Sequence, residues 1–166
     1  LHGGLIDEGS MALIRNGNVT GERKRIDRGF SVTGMALGES SLYETLINEA
    51  TVLFRGANYT HEVDTIKELD NFVSINSAIE VDLFGQVNSE FAGGKQLSGT
   101  GGAVDFMRAA KTSSGGRSII AMNATAKGGK KSKIVPKVEM VTALRTDVDI
   151  VVTEFGVARI KDLPVK

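Results

Sequence analysis

The sequence contains no cysteine and no tryptophan, only two prolines, and aromatic residues amount to 5%. Without cysteine there are no disulfides, no thiol nucleophile and no thiolate metal site. The same absence agrees with a reducing compartment, so a cytoplasmic location is expected. So few aromatics argue against a base-stacking nucleic-acid platform. An excess of one charge is missing too: twenty Lys and Arg balance twenty Asp and Glu. A neutral chain has no overall electrostatic attraction to nucleic acid or to an acidic membrane surface. No apolar run approaches the roughly 18 residues that cross a bilayer. Neither a nucleic-acid partner nor a membrane is therefore expected.

The 166 residues are 41% hydrophobic and include twenty glycines. That length and composition suit one domain with a sizeable core. The chain begins Leu1-His2-Gly3-Gly4, without an initiator Met or a leader pattern, and ends Leu163-Pro164-Val165-Lys166 after a strand-like segment. A fragment of a longer soluble protein is expected.

Met11, Leu13 and Ile14 predict a helix from Asp7 to Asn16, closed by Asn16-Gly17. Residues 30–36 read as one strand. Ser41-Leu42-Tyr43-Glu44 reads as a capping box opening a helix to about Ala50. A short strand at 52–55 and a polar helix at 62–70 follow. Residues 72–75 and 79–83 alternate apolar and polar side chains, the period of strands with one buried face. A turn at Phe84-Gly85-Gln86 comes next, then a glycine-rich stretch from Gly93 to Gly102 and a helix over 104–111. Strands are expected at 118–122, 134–135 and 149–153, with a flexible stretch at 123–133 between the first two. The last strand is nearly all apolar and suits a sheet centre. Interleaved helices and strands predict an α/β fold, an open sheet flanked by helices, in one domain over 1–166.

Three constellations have chemical potential. Gly99, Gly101 and Gly102 precede a helix, where exposed backbone N–H groups suit a phosphate or an oxyanion. The third glycine of a dinucleotide fingerprint is absent, and a tight packing turn is the plain alternative. Five lysines lie between Lys127 and Lys137, a patch suited to phosphates or simply to solvent. Ala124 and Lys131 occupy the places where a P-loop needs Gly and Ser or Thr. Glu80 and Asp82 share a strand face, placed for acid/base work or as a wet face. His2 and His61 lack metal-ligand spacing, and Ser98 is not in a nucleophile elbow.

Four stretches taken in order resemble the acetyl-CoA hydrolase/CoA-transferase family, which includes 4-hydroxybutyrate and succinate:acetate CoA-transferases. They are residues 75–88, Ser98 to Phe106, Ala126-Lys127-Gly128-Gly129-Lys130 with Ile134-Val135-Pro136, and residues 151–158. Weaker echoes lie at 33–38 and at Tyr59-Thr60-His61. The resemblance implies the second of two related α/β halves, a CoA-transferase-like half-domain, lacking the amino-terminal half and a helical tail. It implies acyl-CoA and a short-chain carboxylate as partners, coenzyme A as substrate rather than cofactor, and a homo-oligomer. Site roles follow residue by residue: Gly101 and Gly102 contact CoA, the Gly102 amide as oxyanion donor; Lys127 contacts CoA; His61 stands near the thioester, where relatives place Asn.

In that family a glutamate attacks the thioester and carries the acyl group and then CoA as covalent intermediates. Its place falls on His2-Gly3-Gly4, and Gly4 has no carboxylate. Glu8, one helical turn later, is the weak substitute. The readings left open are CoA transfer or hydrolysis by this family's route, a glutamate-independent acyl-thioester transferase subunit, and a non-catalytic CoA-binding half-domain.

Overall fold

A computed structural model, which describes residues 1–164, shows two compact units, one ending at Asp70 and the other starting at Asn71. The sequence shows no linker-like boundary there.

The first unit opens with β1 (Leu5–Ile6) and α1 (Glu8–Arg15). Asp7 caps α1 by accepting the Ser10 N–H at 2.8 Å, and Gly17 follows in the left-handed region. The strand expected over residues 30–36 is two strands, β2 (Ser31–Thr33) and β3 (Met35–Ala36). They have different parallel partners: β2 pairs with β4 (Val52–Phe54) and β3 with β1. Gly34 is the point of divergence.

Helix α2 (Ser40–Ile47) begins before the expected capping box. Ser41 lies inside it, and its carbonyl accepts the Thr45 hydroxyl. The cap comes instead from α1, because Glu8 Oε1 accepts the Glu39 N–H at 2.6 Å. Only two single turns, α3 (Ala57–Thr60) and α4 (Val63–Ile66), form around the polar helix expected at 62–70. Ile6, Met11, Leu42 and Val52 make this unit's core.

The second unit has β5 (Val73–Asn76), β6 (Glu80–Asp82), β7 (Val87–Asn88), β8 (Phe91–Ala92) and β9 (Lys95–Gln96). Then come α5 (Ala103–Thr112), β10 (Arg117–Ala121), β11 (Thr125–Ala126), β12 (Lys131–Ser132) and β13 (Ile134–Val135). A 3₁₀ turn (Arg145–Asp147) leads to β14 (Ile150–Thr153) and β15 (Gly156–Arg159). The main sheet runs β15-β14-β10-β5, with β5, β10 and β14 parallel and β15 antiparallel at one edge. The apolar β14 is interior, as its composition predicts. A second sheet runs β13-β6-β7. Val81, Val87, Met107, Ile120, Val148 and Val151 dominate the core.

On β5 the expected alternation is inverted. Val73 and Ile75 are exposed while Ser74 is 3% exposed. Helix α5 packs on β5 and β10, and beside the buried Met107 and Ile120 the contact includes small buried residues, Ala109 and Ala110 on the helix, Ser74 and Ser118 on the strands. On β5 the small Ser74 lies under the helix, and the larger Val73 and Ile75 point away. The flexible stretch at 123–133 is likewise ordered, as the β11–β12 hairpin.

Candidate functional site

The predicted site residues fall into two clusters, one in each unit. In the first, Gly4 and His61 belong to one neighbourhood. The Gly4 carbonyl accepts the N–H groups of Gly34 and Met35. A Cβ at Gly34 would stand 3.2 Å from that carbonyl and 3.6 Å from Thr60 Oγ1, so a side chain here would push the Gly4 carbonyl back by a few tenths of an ångström. Thr60 Oγ1 is 2.8 Å from His61 Nδ1, and the Thr60 carbonyl accepts from His2 Nε2 at 3.0 Å. His2 is buried, and burial above all pulls its pKa below the ordinary value, against the raising effect of that hydrogen bond. Beside it, Tyr59 donates its hydroxyl to Asp27 at 2.8 Å.

No carboxylate stands at residues 2–4. The Glu8 carboxylate is occupied as the cap of α2.

In the second unit the glycine turn and the lysine hairpin come to the same edge of the main sheet. Gly101 is left-handed at φ +60° and Gly102 is the N-cap of α5. Four residues separate the end of α5 from β10, and this connection lies beside the start of β5: Ser113 Oγ accepts the Phe72 N–H and the Ser114 carbonyl accepts that of Asn71. The carboxyl end of α5 is thus at the amino edge of the parallel strands. A ten-residue helix is about 15 Å long, and α5 packs along β10. Its amino end therefore reaches the carboxyl edge, where β10 runs on into the β11–β12 hairpin. The Ala124 N–H donates to Glu154 Oε2 at 2.7 Å, tying the hairpin's entry to the end of β14. Ligands of open α/β sheets bind at this edge.

Lys127, Gly128 and Gly129 are left-handed in succession, with φ of +53°, +64° and +87°. For Lys127 that conformation is strained, and strain of this kind gathers at functional turns. Three successive left-handed residues turn the hairpin tip sharply while Lys127 and Lys130 stay on it.

Glu80 and Asp82 do not form the acid/base pair that the sequence allows. Lys131 Nζ donates to Glu80 Oε1 at 2.8 Å, which raises the lysine's pKa and withdraws this cation from the patch. Asp82 is 4% exposed rather than wet. Burial pushes its pKa up, but hydrogen bonds from Gln86 Nε2 and from the backbone N–H groups of Gln86, Val138 and Phe84 outweigh it and hold the pKa below the ordinary value. Asp82 is a structural acceptor that closes the turn at Gly85. Sequence reasoning missed it because Val138 lies 56 residues away.

Among the described residues, no group of three or more acids and histidines is arranged to hold a metal ion. No helix of the described residues is long and apolar enough to cross a membrane.

The second unit thus presents a glycine turn and a lysine hairpin at one edge of an α/β sheet. Residues 38–166 match the acetyl-CoA hydrolase/transferase C-terminal domain family, and the chain belongs to that family. It is 42% identical over 164 residues to the 4-hydroxybutyrate coenzyme A transferase of Clostridium kluyveri, covering 97% of this chain and 38% of that protein. The succinyl-CoA:cyclohexane-1-carboxylate CoA transferase of Geobacter metallireducens matches at the same identity and coverage. The solved structure of RipA from Yersinia pestis superimposes with a TM-score of 0.92 at 42% identity, over 98% of this chain and 37% of that one. The chain thus spans under two fifths of the length of these relatives.

Proposed function

We propose that the chain is the second half of an enzyme that moves coenzyme A from an acyl-CoA to a short-chain carboxylate, or to water. The observation that carries this reading is the convergence of the glycine turn and the lysine hairpin on one carboxyl sheet edge. Lys127 places a cation for the phosphates or pantetheine carbonyls. The amides at Gly101 and Gly102, at the start of α5, face the thioester, and that of Gly102 supplies a fixed dipole where negative charge develops on the carbonyl oxygen. For His61, in the first unit, the resemblance to the family alone supports a substrate-proximal role. Coenzyme A is a substrate here, with no further cofactor. A soluble cytoplasmic homo-oligomer completed by an amino-terminal half fits the family and the chain's share of its relatives' length.

Gly4 favours a second reading. The family route needs a carboxylate at that place, and Glu8 is held by the Glu39 N–H. Transfer would then proceed by direct attack of the acceptor, without a glutamyl intermediate, or the half-domain would bind CoA without chemistry.

Incubating the full-length protein, amino-terminal half included, with acyl-CoA and labelled acetate separates these readings. Label entering the thioester supports transfer, free CoA without label supports hydrolysis, and neither outcome supports a binding module. Borohydride trapping is expected to give no reduced residue at positions 1–8; a trapped Glu8 would restore the glutamyl route.

A further inference from the structure

The glycine turn and the lysine hairpin are separated in sequence, yet both are tied to one short ribbon, the antiparallel pair β6–β7. Glu80 stands opposite Asn88 across it. From one strand Glu80 takes the ammonium of Lys131, the first residue of β12, at 2.8 Å. From the other, the chain passes through Asn88 to Glu90. Asn88 fixes that exit: its Oδ1 accepts the N–H groups of Glu90 and Phe91, and its Nδ2 donates to the Phe91 carbonyl.

Glu90 is 7% exposed. Its Oε1 accepts Gln96 Nε2 at 3.0 Å, and the same amide donates to the Ser98 carbonyl at 2.7 Å. Its Oε2 accepts the Thr142 hydroxyl at 2.9 Å, and Thr142 Oγ1 in turn accepts the Ser89 N–H. Its carbonyl accepts the Leu97 N–H at 2.7 Å. Segment 96–98, which enters the glycine turn, is thus fixed by both the side chain and the backbone of one residue.

We propose that the β6–β7 ribbon is the positioning element of the coenzyme A site, with Glu80 holding the lysine hairpin through Lys131 and Glu90 holding the approach to the glycine turn through Gln96. This rests on the CoA reading above. Neither carboxylate touches the ligand; each sets where a binding turn stands. A half-exposed ion pair adds little stability by itself, so the contribution of Glu80 is geometric. Two turns that must meet one ligand lose affinity when their separation drifts, and a site held loosely by an ångström is a weak site.

The test is titration of the full chain with coenzyme A by calorimetry, paired with amide hydrogen exchange. Glu80→Gln is expected to weaken CoA binding about fivefold and to speed exchange at 124–133 alone. Glu90→Gln is expected to do the same at 95–102. If Glu90→Gln fails to fold, Gln96→Ala breaks that strut at its exposed end and has the same expected result. The double exchange Glu80→Lys with Lys131→Glu reverses the pair in place and is expected to recover affinity, which loss of general stability would not allow. Wild-type binding with unchanged affinity and protection in the single variants overturns the inference and leaves the CoA reading intact. A wild-type protein that does not bind coenzyme A overturns the CoA reading, and the positioning role with it.

Discussion

Lys127→Gly is expected to move stability and binding in opposite directions. Lys127 has φ +53° in a turn whose next two residues are glycines. A left-handed L-residue costs about 1–2 kcal/mol, which glycine does not incur. Glycine adds backbone freedom to the unfolded chain, offsetting about 0.4–1 kcal/mol. The balance is a gain of about 0.5–1 kcal/mol, or roughly 1–4 °C in Tm for a chain of this size. The same change deletes the cation proposed to face CoA. A hydrogen bond to a charged group contributes about 1.5–3 kcal/mol, so affinity is expected to fall about 10- to 150-fold. Lys127→Met keeps the strain and removes the charge; it is expected to lose binding without gaining stability. Thermal melts and calorimetric titration with coenzyme A on the same samples decide it. A destabilised Lys127→Gly, or one that binds CoA like the wild type, would refute the reasoning.

Asp82→Ala leaves four donors without their acceptor, the Val138 N–H buried and the other three part-buried, and is expected to cost about 3 kcal/mol in urea unfolding; a loss below about 1 kcal/mol would contradict the structural role assigned to it. Because the folded-state pKa of Asp82 lies below its unfolded value, near 3.9, its stabilisation is present above about pH 4 and is lost as pH falls through the lower folded value. Asp82→Asn is therefore expected to flatten acid unfolding in that window. Burial keeps His2 neutral and its pKa below the unfolded value of about 6.5. Its contribution is present above about pH 6.5 and declines as pH falls toward the folded value; an NMR titration placing the His2 pKa above 6.5 would refute this. Glu8→Ala removes the cap of α2 and is expected to cost about 1 kcal/mol, read by urea unfolding with far-ultraviolet dichroism.

Local backbone chemistry was legible in the sequence. Asp7 and Asn16-Gly17 bound α1, Gly85 makes its turn, and the apolar run at 149–153 lies inside the main sheet. These features depend on dihedral preference and side-chain period, which a few neighbouring residues set. The family was legible as well, because four motifs occur in one order. The tertiary structure alone decided which partner each polar group takes. It split the strand at Gly34 between two partners, moved the cap of α2 from Ser41 to Glu8, buried Asp82 under Val138 and took Lys131 out of the basic patch. The bonds of Glu8, Asp82 and Lys131 join residues 31, 56 and 51 apart in sequence. Such contacts depend on register and on the path of the intervening chain, and a local pattern of side chains records neither.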